Sequence, residues 1–131
     1  MRDRVLSGII NIMERSEFGA WAEKQAAKFL ENRGYRVLDR NYRKPWGEID
    51  LIAKKLETLI FVEVKASQSE MLGFSPEVRA NSEKQRKIIR TARTYLAEQK
   101  LSDTQEWQID IISVTLRKEG GMVQIHHFKN I

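Results

Sequence analysis

The chain has no cysteine, and its two histidines, His126 and His127, sit side by side. Without cysteine there are no disulfides, no thiolate metal sites and no cysteine nucleophile, and no redox compartment is indicated. Neighbouring residues of a strand point to opposite faces, so the histidine pair does not make a zinc site or furnish a nucleophilic triad. A Gly-rich phosphate loop of the mononucleotide or dinucleotide type is also missing, and with it the usual small-molecule nucleotide cofactors. No apolar run approaches the roughly 20 residues of a membrane span. The stretch from Val5 to Met13 follows Arg2 and Arg4 but is interrupted by Asn11 and has no small-residue cleavage site after it. It does not read as a secretory signal, and a cytoplasmic protein is expected.

Basic charge is in modest excess. Lysine and arginine number 23 against 18 acids, a formal net charge of +5. An excess of that sign suits an anionic partner, nucleic acid before lipid headgroups. At 131 residues the chain makes one domain. Residues 16–131 are assigned to it, and residues 1–15 read as an extension, a short amphipathic helix with Val5, Leu6, Ile9, Ile12 and Met13 on one side. That helix could pack on the domain, dimerise, or lie on a membrane surface.

Helical and strand periodicities alternate along the rest. Ser16 caps a helix over residues 17–33 that Gly34 stops, with Phe18, Ala22, Ala26, Phe29 and Leu30 as its inner stripe. Glu23 falls at the rim of that stripe, able to lean toward a sheet or to pair with Lys24 or Lys28 on the surface. Residues 35–41 read as a strand, and residues 42–46 as a basic, aromatic loop. In that loop Arg43 and Lys44 could meet phosphates, and Trp46 could stack on a base or cover the sheet edge. Two further strands follow at residues 47–53 and 61–65, with a turn near residues 54–58. An aperiodic loop spans residues 67–80.

Ser82-Glu83-Lys84-Gln85 is a capping pattern that opens a helix to about residue 100. Gln85, Ile89, Ala92 and Leu96 share its inner line, while Arg86, Lys87, Arg90 and Arg93 make a cationic outer face suited to a phosphate backbone or simply to solvent. Strands over residues 107–115 and 122–128 complete an α/β pattern. Asp110 is a further acid, whose distance in sequence from the main group favours a structural role.

The chemistry gathers in residues 47–65. Alternation puts Glu48 and Asp50 on one side of their strand and Glu63 and Lys65 on one side of the next. If those faces meet, carboxylates and an ammonium converge on a sheet of Ile, Leu, Val and Phe. Crowded acids there are costly unless a cation compensates them. Carboxylate donors favour Mg²⁺ or Mn²⁺. Such an ion would activate water and neutralise charge on a phosphodiester, with Lys65 stabilising the developing charge or orienting the water.

Asp50 followed by Glu63-Val64-Lys65 at the end of an apolar strand resembles the bipartite D…(D/E)-x-K signature of restriction-endonuclease-like nucleases. The wider frame is more specific. It runs through residues 17–34, Arg40-Asn41-Tyr42-Arg43, Gly47-Glu48-Ile49-Asp50-Leu51-Ile52-Ala53, Phe61-Val62-Glu63-Val64-Lys65, Lys84-Gln85 and His127-Phe128-Lys129-Asn130. In that order it resembles the YraN/UPF0102 family, a bacterial group similar to archaeal Holliday-junction resolvases. The resemblance implies a restriction-endonuclease-like α/β fold, a central mixed sheet flanked by helices. It also implies that Glu23, Asp50 and Glu63 hold the metal, that Lys65 and Gln85 complete the catalytic set, and that the chain acts on DNA as a homodimer. One departure is the Ala66-Ser67 pair, where the family often has an arginine. Two readings stay open: a metal-dependent endonuclease of branched or structured DNA, and a non-catalytic nucleic-acid-binding or adaptor domain on a nuclease fold.

Overall fold

A computed structural model describes residues 15–69, 82–117 and 120–131. The predicted helix between Val5 and Met13 lies outside these residues, as does most of the predicted loop at 67–80. The elements in order are α1 (Arg15–Glu31), β1 (Arg36–Lys44), β2 (Gly47–Lys55), β3 (Thr58–Ser69), α2 (Ser82–Glu98), β4 (Trp107–Arg117) and β5 (Val123–Phe128). The five strands form one sheet in sequence order. β1, β2 and β3 meander antiparallel, β3 and β4 run parallel, and β5 returns antiparallel on β4. A parallel neighbour requires a crossover, and α2 lies within it.

Alternation along the strands divides the core in two. Leu51, Ala53, Ile60, Val62, Ile112 and Val114 pack under Ala22, Ala26 and Leu30 of α1. Ile52, Leu59, Phe61 and Ile109 pack under Ile88, Ala92 and Tyr95 of α2. One helix therefore covers each face. β4 is buried without a break from Ile109 to Leu116, the mark of a strand enclosed on both sides. This mixed sheet between helices is the restriction-endonuclease-like α/β fold. Among the described residues no helix is long and apolar enough to cross a membrane.

The helix ends follow local rules. Gly34, at φ +86°, closes α1: Tyr35 N–H donates to Leu30 O at 3.0 Å and Gly34 N–H to Glu31 O at 3.1 Å. Gly47 meets a different demand, because β2 starts close against α2. A Cβ there would collide with the Thr91 hydroxyl and stand 3.2 Å from the Lys87 carbonyl.

Several predicted boundaries shift by a few residues, and the buried face of α2 turns. β1 continues through Lys44, because Tyr42, Arg43 and Lys44 pair with Ile49, Glu48 and Gly47. The expected loop at 42–46 shrinks to the turn Pro45-Trp46. β3 runs on to Ser69, because Ser67, Gln68 and Ser69 pair with Thr115, Leu116 and Arg117 of β4. On α2 the buried line is Ile88, Thr91, Ala92 and Tyr95, not the line through Gln85. Ile89 and Leu96 flank it, and Gln85 is half-buried at the helix start.

Asp110 belongs to the core. It is fully buried, and its Oδ1 accepts from Gln108 Nε2 at 2.8 Å and from the Asn130 amide at 2.9 Å. Its Oδ2 lies 2.6 Å from His127 Nε2, whose ring packs edge-on against Phe29 and Tyr35. Every partner needed by a buried carboxylate is thus supplied within the fold.

Candidate active site

Ile49 packs in the α2 cluster and Leu51 in the α1 cluster, so alternation slips between them, and Glu48 and Asp50 both reach toward α1. Glu23 stands there, on the rim of α1 between the buried Ala22 and Ala26. One carboxylate oxygen from each of Glu23, Glu48 and Asp50 lies within 4.8 Å of the other two. Oxygen donors at that spacing could share one divalent cation.

The strands make room for this group. Paired register between β2 and β3 ends at Leu51↔Val62. One step further, the Val64 amide donates to Asp50 Oδ2 at 2.8 Å, so a side chain replaces the missing ladder bond. This bond orients Asp50 but does not neutralise it. Burial pushes its pKa up to about 7, opposed by the Val64 N–H and reinforced by the charges of Glu23, Glu48 and Glu63. Near neutral pH the carboxyl is held between its two forms. A bound cation would favour the ionised one, and an all-carboxylate donor set fits Mg²⁺ or Mn²⁺.

Glu63 lies close enough for its charge to act on Asp50 but outside the tight trio. Its Oε1 is ion-paired with Lys84 and lies 3.8 Å from Lys65 Nζ. Two lysines from different elements, β3 and the first turn of α2, thus converge on one oxygen. The Lys84 pKa is raised, chiefly by its hydrogen bond to Glu63. Gln85 adjoins it on the helix. The structure therefore brings Glu23, Asp50, Glu63 and Lys65 to one corner of the sheet, while Gln85 is half-buried at the start of α2 and is not drawn into that group.

The predicted phosphate contacts divide into two groups. Arg43 is tied to Glu48 at 3.2 Å and Lys44 to Glu98 at 2.5 Å. Arg86, Arg90 and Arg93 are exposed on α2, and among the described residues none of them forms an ion pair.

Over residues 22–114, which include both acidic strands, α2 and the C-terminal part of α1, the chain matches the model for uncharacterised protein family UPF0102. The chain is a UPF0102 protein. It is 40% identical over 115 residues to a UPF0102 protein of Syntrophotalea carbinolica, covering 88% of this chain and 90% of that one. A Geobacter metallireducens relative is 38% identical over 118 residues, with 90% and 93% covered. A third, from Desulfosudis oleivorans, reaches 48% over 85 residues, 65% of this chain and 68% of the relative.

Two groups at this corner of the UPF0102 chain, Glu48 and Lys84, have no role assigned from the sequence, although Glu48 is among the carboxylates expected to converge. Glu48 was seen to share a face with Asp50, but the spacing alone does not reveal that Glu23 approaches both. Lys84 is legible as part of a helix cap and of the Lys84-Gln85 pair in the family frame, without a role at the site. Its meeting with Glu63 depends on how α2 crosses the sheet, which no local pattern encodes.

Proposed function

We propose that the chain is a metal-dependent endonuclease that hydrolyses phosphodiester bonds in branched or structured DNA. The observation that carries this reading is the meeting of Glu23, Glu48 and Asp50 within 4.8 Å at a break in the sheet. Support comes also from the D…E-x-K resemblance, in which Asp50, Glu63 and Lys65 match the nuclease signature. Mg²⁺ or Mn²⁺ is the cofactor this reading requires, held by Asp50 with Glu23 and by Glu48 or Glu63. When bound, the ion would lower the pKa of a coordinated water and offset charge on the phosphate.

The chain's own groups have distinct tasks. Val64 N–H fixes the Asp50 carboxylate, leaving Oδ1 for the ion. Glu63 keeps Lys65 at the site, where its ammonium can orient the attacking water or meet the developing negative charge. Lys84 adds a second positive charge on the α2 side. Gln85, next to Lys84 on α2, would add a polar contact. Arg86, Arg90 and Arg93 offer phosphate contacts beyond the cut. Arg43 and Lys44 reach phosphate only by exchanging their acidic partners. A homodimer would suit a four-way junction, which presents two symmetric strands. This proposed activity belongs in the cytoplasm.

The test is a cleavage panel of four-way junction, flap, linear duplex, single-stranded DNA and RNA, run with Mg²⁺, Mn²⁺ or EDTA. Asp50→Asn, purified identically, is the control for contaminating nuclease. Metal-dependent cutting that the variant lacks supports the enzyme, and the preferred substrate names its class. No cutting and no Mn²⁺ binding by calorimetry would favour the second reading, a binding or adaptor module on a nuclease fold. The uncommitted arginines of α2 keep that reading open.

A further inference from the structure

Trp46 occupies the β1–β2 turn, and α2 carries Arg86, Ile89, Arg90, Arg93 and Thr94 alongside it. Together they line an open groove of about 670 Å³. The Arg90 guanidinium lies over the indole ring, 4.8 Å from its centre. The indole Nε1 is buried and meets no acceptor among the described residues, so packing and the Arg90 contact, not a hydrogen bond, hold the ring. The three arginines have no acidic partner among the described residues, in contrast to Arg43 and Lys44 of the same corner. Both walls of the groove are close in sequence to residues of the acid corner. Trp46 is two residues before Glu48, and Arg86 is two residues after Lys84.

We infer that this groove receives one unstacked nucleotide of the nucleic acid held at the acid cluster, its base on Trp46 and its flanking phosphates on Arg86 and Arg93. Charge selects the occupant. Unpaired guanidinium groups on both sides of an apolar floor suit a flat, uncharged ring carried on an anionic backbone. Arg90 already covers the ring by cation–π contact and can move to a phosphate or stack on the incoming base. A continuous duplex keeps its bases stacked and cannot fill the groove, whereas a junction, flap or single strand can. The inference rests on the proposed nuclease reading for its orientation and goes further by naming the feature of DNA that is selected.

The test reads binding without cleavage. Anisotropy of fluorescein-labelled single-stranded DNA, and of a fully paired hairpin of equal charge, is measured in EDTA for wild type, Trp46→Ala, Trp46→Phe and Arg93→Ala. Loss of one base–aromatic stack predicts roughly tenfold weaker single-strand binding for Trp46→Ala, with Trp46→Phe close to wild type and the hairpin changed less than about twofold. Arg93→Ala weakens both substrates and lowers the salt slope by about one. Equal losses by Trp46→Ala on both substrates, or no loss on either, would overturn the inference in favour of simple backbone tracking. Displacement by a polyglutamate peptide as effective as by DNA would overturn it in favour of an acidic protein partner. Circular dichroism of Trp46→Phe guards against misfolding. Because no metal is present, a chain that binds as predicted yet never cuts would sink the nuclease reading and leave this one standing.

Discussion

The Asp50 carboxylate accepts a hydrogen bond from the Val64 amide at 2.8 Å, standing in for a backbone carbonyl where the β2–β3 ladder ends. One side chain therefore both closes the sheet and opens the site. The bond is available to Asp50 in either protonation state, so it orients the group without committing its charge.

A pH dependence follows. The folded-state pKa of Asp50, about 7, exceeds the ordinary 3.8, because burial and three neighbouring acids oppose ionisation. The native state thus holds the proton more tightly than the unfolded chain. Its contribution to stability is whole below about pH 4, is lost as pH rises toward 7, and is gone above that. At roughly 1.4 kcal/mol per unit the swing is at most about 4 kcal/mol. Urea denaturation in EDTA should show Asp50→Asn, which keeps the acceptor for Val64, gaining on wild type between pH 4 and 7. A difference that ignores pH would refute the assignment.

Metal affinity should draw on all three clustered acids. Asp50→Asn, Glu23→Gln and Glu48→Gln are each expected to weaken Mn²⁺ binding by about tenfold or more. Binding by wild type should release protons below pH 7. Calorimetry in two buffers of different ionisation heat measures both. If Glu48→Gln binds as wild type does, Glu48 is only the ion-pair partner of Arg43.

Gly47 is expected to tolerate no side chain. Gly47→Ala should cost about 1–3 kcal/mol, since the new methyl meets Thr91 and the Lys87 carbonyl. Thr91 is fully buried and its hydroxyl donates to Lys87 O at 2.8 Å, so neither can easily retreat. Adding Thr91→Ala should recover part of the loss, a coupling visible in a double-mutant cycle. Strict additivity would show that the strand moves instead.

His127→Phe preserves a ring between Phe29 and Tyr35 but removes the donor to Asp110 Oδ2. The loss should be about 3 kcal/mol, the scale of a buried acid deprived of its partner. Chemical denaturation would read it. An unchanged midpoint would mean that packing, not the hydrogen bond, holds this corner.

The fold was legible where pattern is local. Alternation in residues 47–53 and 61–65, the helical stripe through Ala22 and Ala26, and the stop at Gly34 all depend on neighbours a few positions apart. Legibility failed where a distant partner decides. Tyr42 to Lys44 become strand because Gly47 to Ile49 lie opposite, and Ser67 to Ser69 because β4 extends beside them. The buried line on α2 shifted by one position for the same reason, since the crossing of helix and sheet sets which side is covered. At the site, strand alternation proposed Glu48 with Asp50, whereas Lys84 and Glu63 meet only through the crossover.

Strand order matching sequence order has a kinetic consequence. The β1–β2–β3 meander closes short loops, which cost little entropy, while β3 finds β4 only after the chain loops out through α2. Asp50, Glu48 and Glu63 all lie on the locally connected β2–β3 hairpin. The two helices that cover the sheet supply Glu23 and Lys84. The mutual repulsion of the acids is therefore strongest in the closed fold, where burial also raises the Asp50 pKa.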